Sequence, residues 1–169
     1  MKKIVSIVVT YNGMEWIGKC LGSLANSSCA TEIVVIDNGS TDTTISFIKE
    51  NFPGVQLIES KENLGFGQAN NIGFRIAIEK EADYVFLLNQ DAWVETDTIG
   101  CLVQALQKHI EYGIVSPLHF NGSGSAFDKY FLDYLKHSGA NENDISVILQ
   151  NNNQHLLVNT SFVNAAAWC

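Results

Sequence analysis

From residue 4 to residue 117 short apolar runs alternate with longer amphipathic ones, the pattern of a parallel sheet joined by crossover helices. Residues 4–10, 33–37, 55–59, 84–89 and 113–117 have strand length and apolar content. Residues 14–25 place Trp16, Ile17, Cys20, Leu21 and Leu24 at helical spacing, which predicts a first helix packed on the sheet. Ser40-Thr41-Asp42 opens a second helix that runs to Asn51 and stops before Pro53-Gly54. Further helices are predicted over 67–80 and 96–108.

Beyond Pro117 the texture changes. Asn121-Gly122-Ser123-Gly124-Ser125 reads as a flexible loop, and Phe127, Tyr130, Phe131 and Tyr134 have the spacing of one helix face. Residues 145–149 and 155–163 read as two strands around the polar turn Asn151-Asn152-Asn153, an antiparallel addition to the sheet. The expected architecture is α/β, a Rossmann-like and mostly parallel sheet flanked by helices, with antiparallel additions after residue 117. Residues 1–117 form its ligand-binding core, and residues 118–169 begin a second region of the same domain.

Two apolar strands stop abruptly in polar residues. Glu32-Ile33-Val34-Val35-Ile36 ends at Asp37-Asn38-Gly39-Ser40, and Tyr84-Val85-Phe86-Leu87-Leu88 ends at Asn89-Gln90-Asp91. In open α/β sheets ligands bind outside the carboxyl ends of the strands, so two strand-end carboxylates there suggest a nucleotide and a metal. Asp37 suits turn chemistry on its own, and at this edge it would also accept hydrogen bonds from a base or ribose. Thr10-Tyr11-Asn12 would form the other wall of the slot, with Tyr11 offering a ring face and a hydroxyl. Asp91, otherwise a turn residue before Trp93, is a hard oxygen ligand for Mg²⁺ or Mn²⁺. Residues 63–71 contain a GxG, yet Asn70 occupies the third glycine position and the run follows the third strand. A dinucleotide fingerprint reading is therefore poor, and the run reads either as a flexible loop capped into a helix or as a glycine loop that lets backbone approach a diphosphate near a helix start.

Charge and cysteines narrow the setting. A net charge of −8 without a basic stripe argues against nucleic acid, and an acidic protein that binds a diphosphate calls for a divalent cation between them. Cys20, Cys29, Cys101 and Cys169 lack metal spacing and read as structural thiols of a reducing, cytoplasmic setting, with Cys20 and Cys101 in amphipathic segments as small core residues. The four histidines show no metal spacing, and His119 reads as a packing residue. The opening Met1-Lys2-Lys3 and its short apolar run lack a cleavage pattern and read as the first strand. No run approaches the length of a membrane span. Ala165-Ala166-Ala167-Trp168-Cys169 is an apolar place to stop and reads as cut.

Four motifs in order resemble those of the inverting family 2 glycosyltransferases of the GT-A fold. They are Val5 through Asn12, Ile36 through Asp42, Asn63 through Gly73, and Leu87 through Asp91. The Asn-Leu-Gly-Phe and Asn-Gln-Asp-Ala variants resemble the bacterial rhamnosyltransferase-type branch. The resemblance implies a nucleotide-diphosphate sugar donor of UDP or dTDP type. Thr10, Tyr11, Asn12, Asp37, Asn38 and Ser40 would surround the nucleotide, with Asp37 on the imide of the base. Asn63, Gly65, Gly67, Asn70 and Asn71 would flank the diphosphate. Asn89, Gln90 and Asp91 would form the metal element, where Asn89 replaces an aspartate and leaves Asp91 to ligate Mn²⁺ or Mg²⁺. The acceptor implied is a saccharide or lipid-linked saccharide, used in polysaccharide biosynthesis with the parent enzyme peripheral to the inner face of the membrane. The catalytic base is expected beyond Cys169, after a segment resembled by Phe162 through Trp168. A non-catalytic nucleotide-sugar binding module is the competing reading. A sugar-phosphate nucleotidyltransferase would need a basic loop where Tyr11-Asn12-Gly13-Met14-Glu15 stands.

Overall fold

A computed structural model of the chain describes residues 2–138, Leu157, Thr160 and 167–169. Four parallel strands build the sheet: β1 (Ile4–Thr10), β2 (Glu32–Asp37), β3 (Gln56–Glu59) and β4 (Tyr84–Asn89). The crossovers are α1 (Ile17–Ala25), α2 (Thr44–Asn51) and α3 (Phe66–Glu79), and α4 (Thr98–Lys108) follows β4. α5 (Lys129–His137) and a short antiparallel strand, β5 (Ala167–Trp168), complete the described elements. The strand order is β3-β2-β1-β4-β5, so β1 lies between two parallel neighbours and every residue of it is buried.

Because side chains alternate across a strand, the apolar runs supply two cores at once. Ile4, Val8, Val35, Phe86 and Leu88 face α1, α2 and α4 through Ile17, Leu21, Leu24, Ile48, Ile99 and Leu102. Val5, Ile7, Val9, Val34, Ile36 and Leu87 face α3, where Ala69 and Ala77 keep the helix close. Ser6 is the polar exception in this run, and its hydroxyl is paired with that of Thr31 at 2.8 Å.

The approach of α3 to β1 depends on Gly73. A Cβ placed there would lie 2.5 Å from Cγ2 of Ile7, a branched side chain locked in the core. α5 buries Phe131 and Leu135, and His119 stacks on Phe131 with ring centroids 4.5 Å apart. Burial there pulls the His119 imidazole below its ordinary range, against the opposing pull of Asp128. The packing role read for His119 is present, whereas the helical face of the aromatics is met only in part: Phe127 precedes α5 and stacks on Phe120 with ring centroids 4.6 Å apart, and Tyr130 is exposed.

Several boundaries differ from the expected ones. Residues 113–117 form no strand of the parallel sheet: β5 occupies that edge of β4, and Val115 instead exchanges both backbone hydrogen bonds with Cys169 at 2.9 Å. α1 starts at Ile17 because Trp16 and Ile17 both donate to the Gly13 carbonyl in a preceding turn. α2 starts at Thr44, where Asp42 Oδ1 accepts from the Thr44 amide at 3.0 Å and holds the approach to the helix. The strands expected over 145–149 and 155–163 fall outside the described residues, apart from Leu157 and Thr160.

Gly73→Ala should destabilise the protein by about 1–3 kcal/mol through overpacking against Ile7, measured by urea unfolding; Ile7→Ala in the same chain should recover part of that loss. His119→Phe tests the buried imidazole. The folded protein holds its pKa below that of the unfolded chain, so its stabilisation is present above about pH 6.5 and is lost on acidification. Wild type should therefore lose more stability than His119→Phe between about pH 7 and pH 5.

Candidate functional site

β1, β2 and β4 end at the same edge, and their last residues meet there. Thr10 is in register with Asp37, and Val9 with Asn89. A groove of about 320 Å³ opens at this edge. Val9, Tyr11, Asn38, Asn63, Phe66, Asn89, Gln90 and Asp91 line it. A larger hollow of about 480 Å³ lies at the opposite, amino edge between the starts of β2 and β3, around the Glu32–Lys80 ion pair. The carboxyl-edge groove is the better candidate of the two, because the strand-end polar residues converge on it.

Side-chain amides fix the loops around the groove. Asn12, at φ 47°, receives the Thr41 amide on Oδ1 at 2.8 Å, while its own N–H donates to the Ser40 hydroxyl at 2.8 Å. Asn38 donates to Asn63 Oδ1 at 2.9 Å and accepts from the Leu64 amide at 2.8 Å, which joins the β2–α2 turn to the 63–65 loop. Asn63 Oδ1 also takes the amide of Gly65, whose φ of 79° a side chain would resist. Asn70 is buried on α3 and donates to the Phe66 carbonyl at 2.9 Å. Thr10 is buried with its hydroxyl on Gln90.

The carboxylates differ. Asp37 is fully buried behind the lining, where Oδ2 accepts from the amides of Gly39 at 3.1 Å and Ser40 at 3.0 Å. Its Oδ1 is buried without a hydrogen-bond partner, an acceptor left for a donor from elsewhere. Asp91 is exposed on the groove wall just past the end of β4, beside Asn89. Among the described residues no group of three His, Cys, Asp or Glu side chains could hold a metal unaided. One carboxylate and one amide oxygen still suit an ion that takes its remaining ligands from phosphates and water. Beneath β4, Cys20 donates weakly to the Asn89 carbonyl at 3.5 Å. Burial, with the Asp91 charge adding to it, pushes this thiol up to about 12, so it is an inert packing group.

Of the residues singled out from sequence, Tyr11, Asn38, Asn63, Asn89, Gln90 and Asp91 line the groove. Thr10, Asn12, Asp37, Ser40, Gly65 and Asn70 belong to the hydrogen-bonded frame outside the lining, and Gly67 and Asn71 are exposed on α3, also outside it. Val9 and Phe66 were not expected. Phe66 is half exposed although apolar and sits inside the very loop the glycines marked, a signal the sequence does carry. Asn38→Ala should cost about 1–3 kcal/mol of stability in denaturant unfolding, because it leaves the Leu64 amide unpaired and removes one of the two donors to Asn63 Oδ1.

The chain matches the family described as glycosyl transferase family 2 over residues 6–165. It is 30% identical over 133 residues to the N-acetylglucosaminyl-diphospho-decaprenol L-rhamnosyltransferase of Mycobacterium tuberculosis (strain ATCC 25618 / H37Rv), covering 72% of this chain and 42% of that one. It is 30% identical over 117 residues to a chondroitin synthase of Escherichia coli, covering 66% of this chain and 16% of the relative. Thus the chain spans less than half the length of these curated relatives. Among solved structures, the mannosyltransferase of Pyrobaculum calidifontis in complex with GDP-Man and Mn²⁺ superimposes with a TM-score of 0.62 at 29% identity. That match covers 69% of this chain and 35% of the other. S. aureus TarS 1-349 in complex with UDP-GlcNAc gives 0.57 at 25% identity, covering 71% of this chain and 36% of that one. With the family matched across nearly all of its length and the fold shared with these GT-A structures, the chain belongs to glycosyl transferase family 2.

Proposed function

We propose that this chain binds a nucleotide-diphosphate sugar, of UDP or dTDP type, at the carboxyl-edge groove and serves a glycosyl transfer that inverts the anomeric carbon. The observation that carries this reading is Asp91, the one carboxylate on the groove wall among the described residues, which shares that lining with the exposed Tyr11. Tyr11 supplies a stacking face for the base. Asp37 keeps one unpaired oxygen for the imide N–H, and Asn38 and Ser40 complete that wall. The loop carrying Asn63, Gly65 and Gly67, and Asn70 and Asn71 on the first turns of α3, would flank the diphosphate at a helix start.

Asp91, with Asn89 beside it, would hold Mn²⁺ or Mg²⁺, which when bound offsets charge on the departing diphosphate. In the transfer an acceptor hydroxyl oxygen bonds to the anomeric carbon, the bond from that carbon to the diphosphate oxygen breaks, and the hydroxyl proton passes to a carboxylate base. No second carboxylate lines the groove among the described residues, so Asp91 is committed to the donor and the base is to be sought elsewhere. The same observation favours a second reading, a nucleotide-sugar binding module without transfer of its own. A saccharide or lipid-linked saccharide acceptor is supported by the relative named for a diphospho-decaprenol. Among the described residues no helix is long and apolar enough to cross a membrane, which fits peripheral association. A rhamnosyl donor rests on that same relative.

Calorimetric titration of UDP and dTDP into the chain, with and without Mn²⁺, tests the donor site. Binding should require the metal and fall at least about tenfold in Asp91→Asn, the loss of a charged ligand. Equal affinity with and without metal, or in the variant, would remove Asp91 from the site. Transfer of sugar by the chain alone would exclude the binding-module reading.

A further inference from the structure

We propose that Gln90 is a positioning residue that extends the sheet by one side-chain rung and so holds Tyr11 in the groove, and that residue 13 is glycine to make room for it. The proposal rests on the donor-site reading for its meaning in binding, and on geometry alone for the grip itself.

Backbone pairing between β1 and β4 ends at Val9 and Asn89. One residue farther, the Gln90 side chain takes over. Its Oε1 accepts from the Tyr11 amide at 2.9 Å, and its Nε2 donates to the Tyr11 carbonyl at 3.3 Å. A primary amide thus meets both backbone groups of Tyr11 as a neighbouring peptide would in a ladder. The same Oε1 accepts the Thr10 hydroxyl at 2.7 Å. Three bonds from one side chain hold two successive residues, so Gln90 lines the groove with its polar atoms already engaged by protein.

Gly13 is the complement of this rung. A Cβ there would overlap Gln90 Oε1 and lie 2.5 Å from the Thr10 hydroxyl oxygen. The Gly13 carbonyl in turn receives the amides of Trp16 and Ile17 at the start of α1. Since Gln90 directly precedes Asp91, the peptide carrying the groove carboxylate is tied to the peptide carrying the groove ring. Glutamate could not replace it in full, because a carboxylate would face the Tyr11 carbonyl with no proton to give.

The test compares the whole chain with Gln90→Met, Gln90→Glu and Gly13→Ala. One arm reads hydrogen exchange at the Tyr11 amide by NMR; the other reads affinity for UDP and for pyrophosphate, each with Mn²⁺. Gln90→Met should speed Tyr11 exchange about tenfold or more and weaken UDP about tenfold, while pyrophosphate changes less than about twofold. Gln90→Glu should restore Tyr11 protection, since an oxygen acceptor returns. Gly13→Ala should reproduce the Gln90→Met pattern by displacing the side chain. Unchanged Tyr11 exchange in Gln90→Met would overturn the grip. An equal loss of UDP and pyrophosphate would overturn the positioning role in favour of general loosening. If wild type binds pyrophosphate and UDP with no difference or not at all, the reading of Tyr11 as a base platform fails, and the exchange arm still decides the grip.

Discussion

The structure depends on parallel pairing of β1 with a strand on each side. Parallel neighbours deliver their carboxyl ends to one edge, so residues 10, 37 and 89, far apart in sequence, become adjacent without any contact between their side chains being needed. This pairing requires both faces of β1 to be covered, which is why its alternate residues supply two cores and why α3 must come close enough to exclude a Cβ at residue 73. The groove is a by-product of that register: loops leave the edge in different directions and the space between them stays open.

Open loops at a sheet edge carry backbone amides and carbonyls that no strand partners. Here side-chain amides meet many of them. Asn12 covers the Thr41 amide, Asn38 the Leu64 amide, Asn63 the Gly65 amide, and Gln90 both polar groups of Tyr11. An amide suits this task because it donates and accepts at once and brings no charge into a partly desolvated place. The two strand-end carboxylates then differ in setting: Asp37 is enclosed, and Asp91 is on the groove wall.

The strands of the core were legible from sequence because each is a short run with abrupt polar ends; the bounds of 4–10 and 84–89 are met in the structure. Helix starts were less legible. A turn closed on the Gly13 carbonyl and an aspartate bonded to the Thr44 amide both look helical in composition and are not helix in geometry. The run 113–117 has strand composition, yet its partner is Cys169, 54 residues downstream of Val115 by numbering, and local pattern carries no sign of that pairing. At the groove, the segments singled out from sequence are ones that meet there, while the bonds their amides make are set by tertiary partners that no local pattern reveals. A glutamine before an aspartate reads as a ligand group; only the fold shows that its polar atoms reach back across 79 residues to Tyr11.

The pairing of Asn38 with Asn63 and of Gln90 with Tyr11 has a consequence for how such a cleft can change. Each segment of the rim carries half of a bond whose other half lies on a different segment. A graft of the 63–71 loop into another scaffold would bring an acceptor without its donor unless residue 38 came too, and a new 10–13 segment would need its own side chain at position 90. The rim is therefore not a set of exchangeable parts. Its segments can diverge only in matched pairs, while the exposed faces of Asp91, Phe66 and the Tyr11 ring, which bear no such obligation, remain the positions where specificity can drift one residue at a time.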